Sequence, residues 1–183
     1  MDIKAFDLPG PVLIVPERHL DHRGDFSEIF RKNRFEAIGP GEFVQDNHSY
    51  SAKRGTVRGL HFQVPPVPQA KLTRVVRGSS FHVAVDIRRS SPTWGRHVSV
   101  VLSAENRTLL YVPVGFAHGL CTLEPDTEVT YKVTDYYAPD AARGLAWNDP
   151  ALGIKWPVSP DAAVLSDRDR AHPTLSELPG WFA

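Results

Sequence analysis

Cysteine is close to absent: of 183 residues, only Cys121 carries a thiol. No disulfide can form within the chain, and no thiolate metal cluster can be built. Cys121 follows Gly119 and Leu120 in an apolar stretch, where a lone thiol reads as buried filler. Net charge is absent too, since 21 basic side chains cancel 21 acidic ones. Such balance argues against non-specific binding to nucleic acid or to an anionic membrane. Long apolar runs are missing, and nothing approaches the roughly 18 residues that a membrane span needs. The first nine residues include Asp2, Lys4 and Asp7 and show no apolar core of a signal peptide. These absences predict a soluble, cytoplasmic protein with no membrane or nucleic-acid partner. Lysine is also scarce, 6 against 15 arginines. Guanidinium forks suit phosphate and carboxylate recognition, although genomic composition alone can raise arginine.

What remains is ordinary globular material. Hydrophobic residues at 42% and charged residues at 23% exclude disorder. The length predicts a single domain over residues 1–183, large enough to hide roughly 70% of its unfolded surface. Period-two alternation dominates the middle of the chain. Phe81, Val83, Val85 and Ile87 alternate with His82, Ala84, Asp86 and Arg88, the pattern of a half-buried strand. Val12–Val15, Lys71–Val76, His97–Leu102, Thr108–Val112 and Glu128–Val133 are similar runs, separated by turns such as Arg77-Gly78-Ser79-Ser80. Helix is scarce: Arg31–Ala37 predicts one short helix ending at Gly39, and the tail from Asp161 has room for another turn. Short strands at this spacing predict an antiparallel sandwich or barrel.

Several segments are dense in functional side chains. Gln45, Asn47 and Ser49 alternate onto one face, with Val44, Asp46 and His48 on the other. Amides and hydroxyls on an inward face suit a polyhydroxylated ligand, while an edge strand with a solvated polar face accounts for the pattern equally well. Arg58 and His61 lie three apart around Gly59 and, in a regular strand, point to opposite faces unless a bulge intervenes. In Tyr111–Gly119, Gly115 and Gly119 bracket His118, whose apolar neighbours suit a satisfied core histidine. Thr127, Val129, Tyr131 and Val133 share a face, and a tyrosine there is ordinarily core with its hydroxyl tied to a partner.

Taken in order, Arg23-Gly24, Gln45-x-Asn47-x-Ser49, Arg58-Gly59-Leu60-His61-Phe62-Gln63, Lys71, Pro113-x-Gly115-Phe116-Ala117-His118-Gly119, Tyr131 and Leu165-Ser166-Asp167-Arg168-Asp169 form a recognisable set. The set resembles the dTDP-4-dehydrorhamnose 3,5-epimerase family, a cupin-fold group of rhamnose biosynthesis. The resemblance implies an all-β, cupin-type jelly roll with short peripheral helices. It also implies a homodimer and a substrate that is a dTDP-linked 4-keto-6-deoxyhexose. Many cupins bind metal through an HxH pair and a second motif. Here His61 is followed by Gln63 where a second histidine would stand, and His118 lacks companions, so the metal reading is disfavoured. No cofactor is expected.

The same resemblance implies roles. His61 stands at the position of the general base, Asp169 at that of its orienting acid, Lys71 beside the developing oxyanion, and Tyr131 at that of the facing general acid. Arg23 and Arg58 would grip the pyrophosphate or nearby sugar oxygens. Gln45 and Asn47 would bond nucleotide or sugar, and Tyr137 would stack on thymine. His118 and Arg168 match pocket positions. Phe26 and Glu28 match an early binding segment that in relatives lies near the dimer interface. One departure stands out: Ala141 and Ala142 replace a glutamate found in many relatives, so its bond to substrate is missing here or comes from Asp140. Enzymes acting at C3 or C5 alone, a ketoisomerase of related fold, a metal-dependent dioxygenase and a non-catalytic sugar-nucleotide binder are the competing readings.

Overall fold

A computed structural model of the protein describes residues 1–35, 38–39 and 41–183. In chain order the strands are β1 (Asp2–Ala5), β2 (Val12–Val15), β3 (His19–Asp21), β4 (Gly24–Phe26), β5 (Gln45–Ser51), β6 (Val57–Gln63), β7 (Lys71–Arg77), β8 (Ser79–Asp86), β9 (His97–Ser103), β10 (Leu109–Val112), β11 (Phe116–Thr122), β12 (Thr127–Val133) and β13 (Ala142–Gly144). Two four-residue helices, α1 (Lys32–Phe35) and α2 (Asp167–Arg170), lie outside the sheets. The helix predicted over Arg31–Ala37 is thus seen as α1, while Glu36 and Ala37 fall outside the described residues. The turn anticipated in the tail is α2, started by Ser166, whose hydroxyl accepts the Asp169 N–H at 3.1 Å.

Six strands form one sheet in the order β1-β2-β10-β7-β12-β5, five form a second in the order β13-β6-β11-β8-β9, and β3-β4 is a separate hairpin. Every ladder is antiparallel. This is the cupin-like β-sandwich expected. Alternation sends Val75, Leu110, Val112 and Val129 from the first sheet against Ala84, Val98, Leu102, Phe116 and Leu120 from the second. Each sheet is also covered outside. Leu145, Leu152, Leu175, Leu178 and Phe182 pack on Leu60, Phe62, Val83 and Val85 of the five-stranded sheet. Phe35, with Ile29, Phe30 and Phe43, covers Leu72 and Leu109 of the six-stranded sheet.

That outer cover corrects one expectation. β8 is buried on both faces, with Ser80, His82, Ala84 and Asp86 as inaccessible as Val83 and Val85. The strand sits inside its sheet, between β11 and β9, with the other sheet on one side and the C-terminal segment on the other. Period-two chemistry in a doubly covered strand separates two buried environments, not core from water.

A bulge joins β6 to β11. His118 pairs with His61 and Leu120 with Arg58, so three residues of β6 span two of β11. Gly59 takes up the difference with φ near +130°, and a Cβ there would stand 2.6 Å from the Gly119 Cα. Only glycine supplies both the conformation and the close approach. Gly153 is also left-handed, with φ +61, but nothing lies within 4 Å of its missing Cβ. Gly59→Ala is therefore expected to lower unfolding free energy by more than the roughly 1 kcal/mol of a conformational penalty alone. In urea melts Gly153→Ala should show only that smaller loss, and equal losses would show that the close approach is unimportant.

Candidate active site

Between the sheets, beside the apolar core, lies a cavity of about 550 Å³. Its walls come from both sheets: Gln45, Asn47 and Ser49 of β5, Lys71 and Thr73 of β7 and Tyr131 of β12 on one side, Arg58, His61 and Gln63 of β6 and His118 of β11 on the other. The bulge at Gly59 is what turns Arg58 and His61 into the same cavity. β5 proves to be the edge strand of its sheet, and its amide face nevertheless points inward. Gln45 Nε2 donates to Asn47 Oδ1 at 2.9 Å, and Gln45 Oε1 accepts the Tyr137 backbone N–H at 2.9 Å. Arg58 is held by Ser51 Oγ at 3.1 Å and the Tyr50 carbonyl at 2.8 Å.

The shortest contact among these groups joins His61 to α2. His61 Nε2 lies 2.6 Å from Asp169 Oδ1, and the carboxyl is buried. Burial alone would raise the Asp169 pKa, but the nearby His172 ring, the hydrogen bond and charge of His61, and the Gly59 amide hold it well below the usual carboxylate range. An ionised carboxylate only accepts, so Nε2 carries the proton and the lone pair of His61 is on Nδ1. Burial lowers the His61 pKa, opposed by Asp169 and assisted by Lys71 and His172. The ring is therefore neutral at pH 7.

Lys71 Nζ donates to the His61 carbonyl at 3.1 Å, and burial lowers its pKa to about 8. The ammonium still predominates at neutral pH, desolvated and able to act at short range. Burial raises the Tyr131 pKa, so its phenol keeps its proton. A neutral imidazole on one sheet thus shares the cavity with a protonated phenol on the other, with an ammonium near the imidazole.

Of the residues singled out from sequence, His61, Lys71, Tyr131, Asp169, Gln45, Asn47, Arg58, His118, Tyr137 and Arg168 all line this cavity. Arg23, Phe26 and Glu28 do not. Arg23 sits at the tip of the β3-β4 hairpin, paired with Asp21 at 2.6 Å, and Phe26 is 69% exposed. Glu28 pairs with Arg31 and Arg34. All three lie outside the cavity of their own chain. Asp140 is also away from it; Ala142 and Arg143 occupy that wall, so Asp140 does not replace the missing glutamate.

Sequence reasoning missed two histidines. His172 packs edge-on against His61, with centroids 5.5 Å apart, over Gly144, where any Cβ would strike its ring. Its Nε2 is buried 3.4 Å from Asp169 Oδ1 without hydrogen-bond alignment. His82 lies behind His118, with Nδ1 3.1 Å from His118 Nε2. Its signal was its place beside Ser80 and Ala84 on one face of β8. Among the described residues, ligand atoms of His61, Asp169 and His172 come within 4.8 Å of one another, a set that could hold a divalent ion. It differs from the His61–Gln63–His118 arrangement that a cupin motif would use, and its tightest contact is the His61–Asp169 hydrogen bond.

This geometry agrees with what sequence and structure comparisons find. The family model described as dTDP-4-dehydrorhamnose 3,5-epimerase matches residues 5–177. The chain belongs to the dTDP-4-dehydrorhamnose 3,5-epimerase family. A relative named for that activity, from Sinorhizobium fredii, is 52% identical over 183 residues, covering 100% of this chain and 93% of its own. The crystal structure of dTDP-6-deoxy-D-glucose-3,5-epimerase from Legionella pneumophila, in complex with dTDP-4-keto-L-rhamnose, superposes with a TM-score of 0.92 at 40% identity, covering 97% of this chain and 94% of that one. A 3'-monoepimerase from Streptomyces bikiniensis in complex with dTDP-quinovose shares the fold more distantly, with a TM-score of 0.86 and 36% identity over 94% and 87% of the two chains.

The balance on His61 yields a direct expectation. Asp169 raises the His61 pKa and burial lowers it, so Asp169→Asn removes the opposing effect and the pKa moves further down. NMR titration of the His61 ring reads this, and an upward movement would contradict the assigned hydrogen bond.

Proposed function

We propose that His61 and Tyr131 epimerise C3 and C5 of dTDP-4-dehydro-6-deoxy-D-glucose by proton transfer on opposite faces of the sugar ring. The product is dTDP-4-dehydro-L-rhamnose. The observation that carries the assignment is the placement of His61 and Tyr131 on facing sheets of one cavity, with His61 tied to buried Asp169. Both carbons flank the C4 ketone. Removing either hydrogen leaves an enolate whose charge rests on the C4 oxygen.

His61 Nδ1 takes the proton, and Asp169 holds the tautomer and stabilises the imidazolium that forms. Lys71, an ammonium in a desolvated site, offsets the oxyanion. Tyr131 returns a proton from the other side; one base acting alone restores the original configuration. The imidazolium of His61 then gives its proton to solvent and the Tyr131 phenolate takes one from solvent, which resets both groups for the next turnover. Arg58, Arg168 and Arg143 supply guanidinium groups for the pyrophosphate, and Gln45, Asn47 and Tyr137 form the nucleotide wall. The nucleotide-linked substrate implies the cytoplasm as the compartment.

In D₂O, deuterium should enter both C3 and C5 of the substrate, followed by NMR. His61→Asn should reduce exchange at both carbons by about 10²–10⁴-fold. Tyr131→Phe should still exchange at C3 or C5 while inversion fails. Label at one carbon only would assign a mono-epimerase, and unimpaired exchange in the His61 variant would remove it as the base.

The reading extends to a homodimer in which each chain works as a single domain. Arg23, Phe26 and Leu20 stand exposed on a hairpin remote from the chain's own cavity, a place suited to completing a neighbour's. Light scattering should give twice the monomer mass. Arg23→Ala should raise KM, and mixing it with His61→Asn chains should restore part of the activity, because one mixed site then has both intact residues. A monomeric mass, or no complementation after subunit exchange, would reject this arrangement.

A further inference from the structure

Behind His118 lies a second imidazole that the proposed chemistry leaves without a task. Ser80 and His82, adjacent positions on one face of β8, are fully buried. Ser80 Oγ is 2.7 Å from His82 Nε2, and His82 Nδ1 is 3.1 Å from His118 Nε2. The two rings stack with centroids 5.3 Å apart and planes 21° from parallel. The line ends at the cavity, because His118 is one of its walls.

Counting protons gives the line a direction. The bond between the two rings holds one hydrogen, so one ring donates and the other accepts. The Ser80 hydroxyl has His82 as its side-chain partner among the described residues. Its proton therefore goes to His82 Nε2, and a neutral His82 then carries its own proton on Nδ1. His82 Nδ1–H donates to His118 Nε2, which places the His118 proton on Nδ1, the ring nitrogen without a hydrogen-bond partner among the described residues. The reverse direction would leave the serine proton without an acceptor in a fully buried site. It would also turn a lone pair of His118 toward the cavity. Both rings are neutral: burial lowers the His82 pKa to about 3, and burial with His82, Lys71 and His61 nearby keeps His118 well below 6.5.

We infer that His82, fixed by Ser80, is a positioning residue that holds His118 as an Nδ1–H donor to the substrate's C4 oxygen beside Lys71. The inference rests on the epimerase reading and extends it. An N–H suits an oxygen that gains negative charge, whereas a lone pair repels it. A neutral donor also leaves His61 basic, where a second cation would depress it further.

The test begins with the protein free of substrate. ¹⁵N NMR of the histidine rings should give His118 a protonated Nδ1 and an unprotonated Nε2; the opposite tautomer overturns the inference. Ser80→Ala should release the tautomer and lower kcat with little change in KM, up to the roughly 10²–10³-fold lost when one oxyanion donor is removed. Ser80→Thr, which keeps the hydroxyl, should restore both readouts. An alanine variant with wild-type tautomer and kcat would also overturn the inference. The ring measurement does not depend on which residue is the base. A failure of His61 in the exchange experiment is thus distinguishable from a failure of the relay.

Discussion

β6 and β11 approach so closely that Gly59 has no room for a Cβ, which would meet the Gly119 Cα at 2.6 Å, and Gly119 is tightly packed against Leu60 and the Arg58 carbonyl. The approach sets three residues of β6 against two of β11, and the extra residue rotates the strand between Arg58 and His61. Without that slip one of them would point into the cover of the five-stranded sheet. The bulge also turns the Gly59 amide to the Asp169 carboxylate, so the backbone irregularity that aims the histidine also supports the charge that orients it. Packing, site geometry and electrostatics thus meet at one residue without a side chain.

The cavity around it works because it is polar and secluded together. A β-sandwich ordinarily fills its interior with alternating apolar side chains, as this one does around Leu110, Val112 and Leu120. Beside that core, the inward positions of β5, β6, β7 and β12 carry amides, hydroxyls and charges. Seclusion then sets protonation. The same desolvation that pushes Lys71 down to about 8 and lowers His61 also raises Tyr131. At neutral pH this leaves a neutral imidazole, a protonated phenol and a surviving ammonium. Asp169 resists the trend because its hydrogen-bond donors outweigh its burial.

Much of this was legible in the sequence, because alternation and turn chemistry are local. Val12–Val15 matches β2, and the face shared by Thr127, Val129, Tyr131 and Val133 is the inward face of β12. The ordered motifs located most of the polar side chains that line the cavity. What stayed hidden was whatever depends on a neighbour distant along the chain. The outer face of β8 is dry because residues 175–182 cover it, and nothing within Ser79–Asp86 says so. His172 reaches His61 only because Gly144, opposite His61 in the ladder, leaves space for its ring. Arg23, Phe26 and Glu28 matched by motif yet lie outside the cavity, since a motif gives position along a chain and not position in space.

The two epimerised carbons pose a last geometric demand. C3 and C5 lie on either side of C4, so a site built around fixed hydrogen positions would serve one and miss the other. A site anchored on the C4 oxygen escapes this, because both enolates place their charge on that same atom. In the proposed mechanism Lys71 on one sheet and His118 on the other would hold that anchor, while His61 and Tyr131, which line the same cavity, would supply the base and acid on the two ring faces. Under that proposal, rotation of the ring about the anchored C4–O direction would present either carbon to the same pair. The donors that matter most to a double epimerisation are thus those that do not move a carbon-bound proton. A buried line such as Ser80–His82–His118 suits that task, because each link fixes the next and, under the inference above, the last would keep its N–H turned toward one oxygen through both half-reactions.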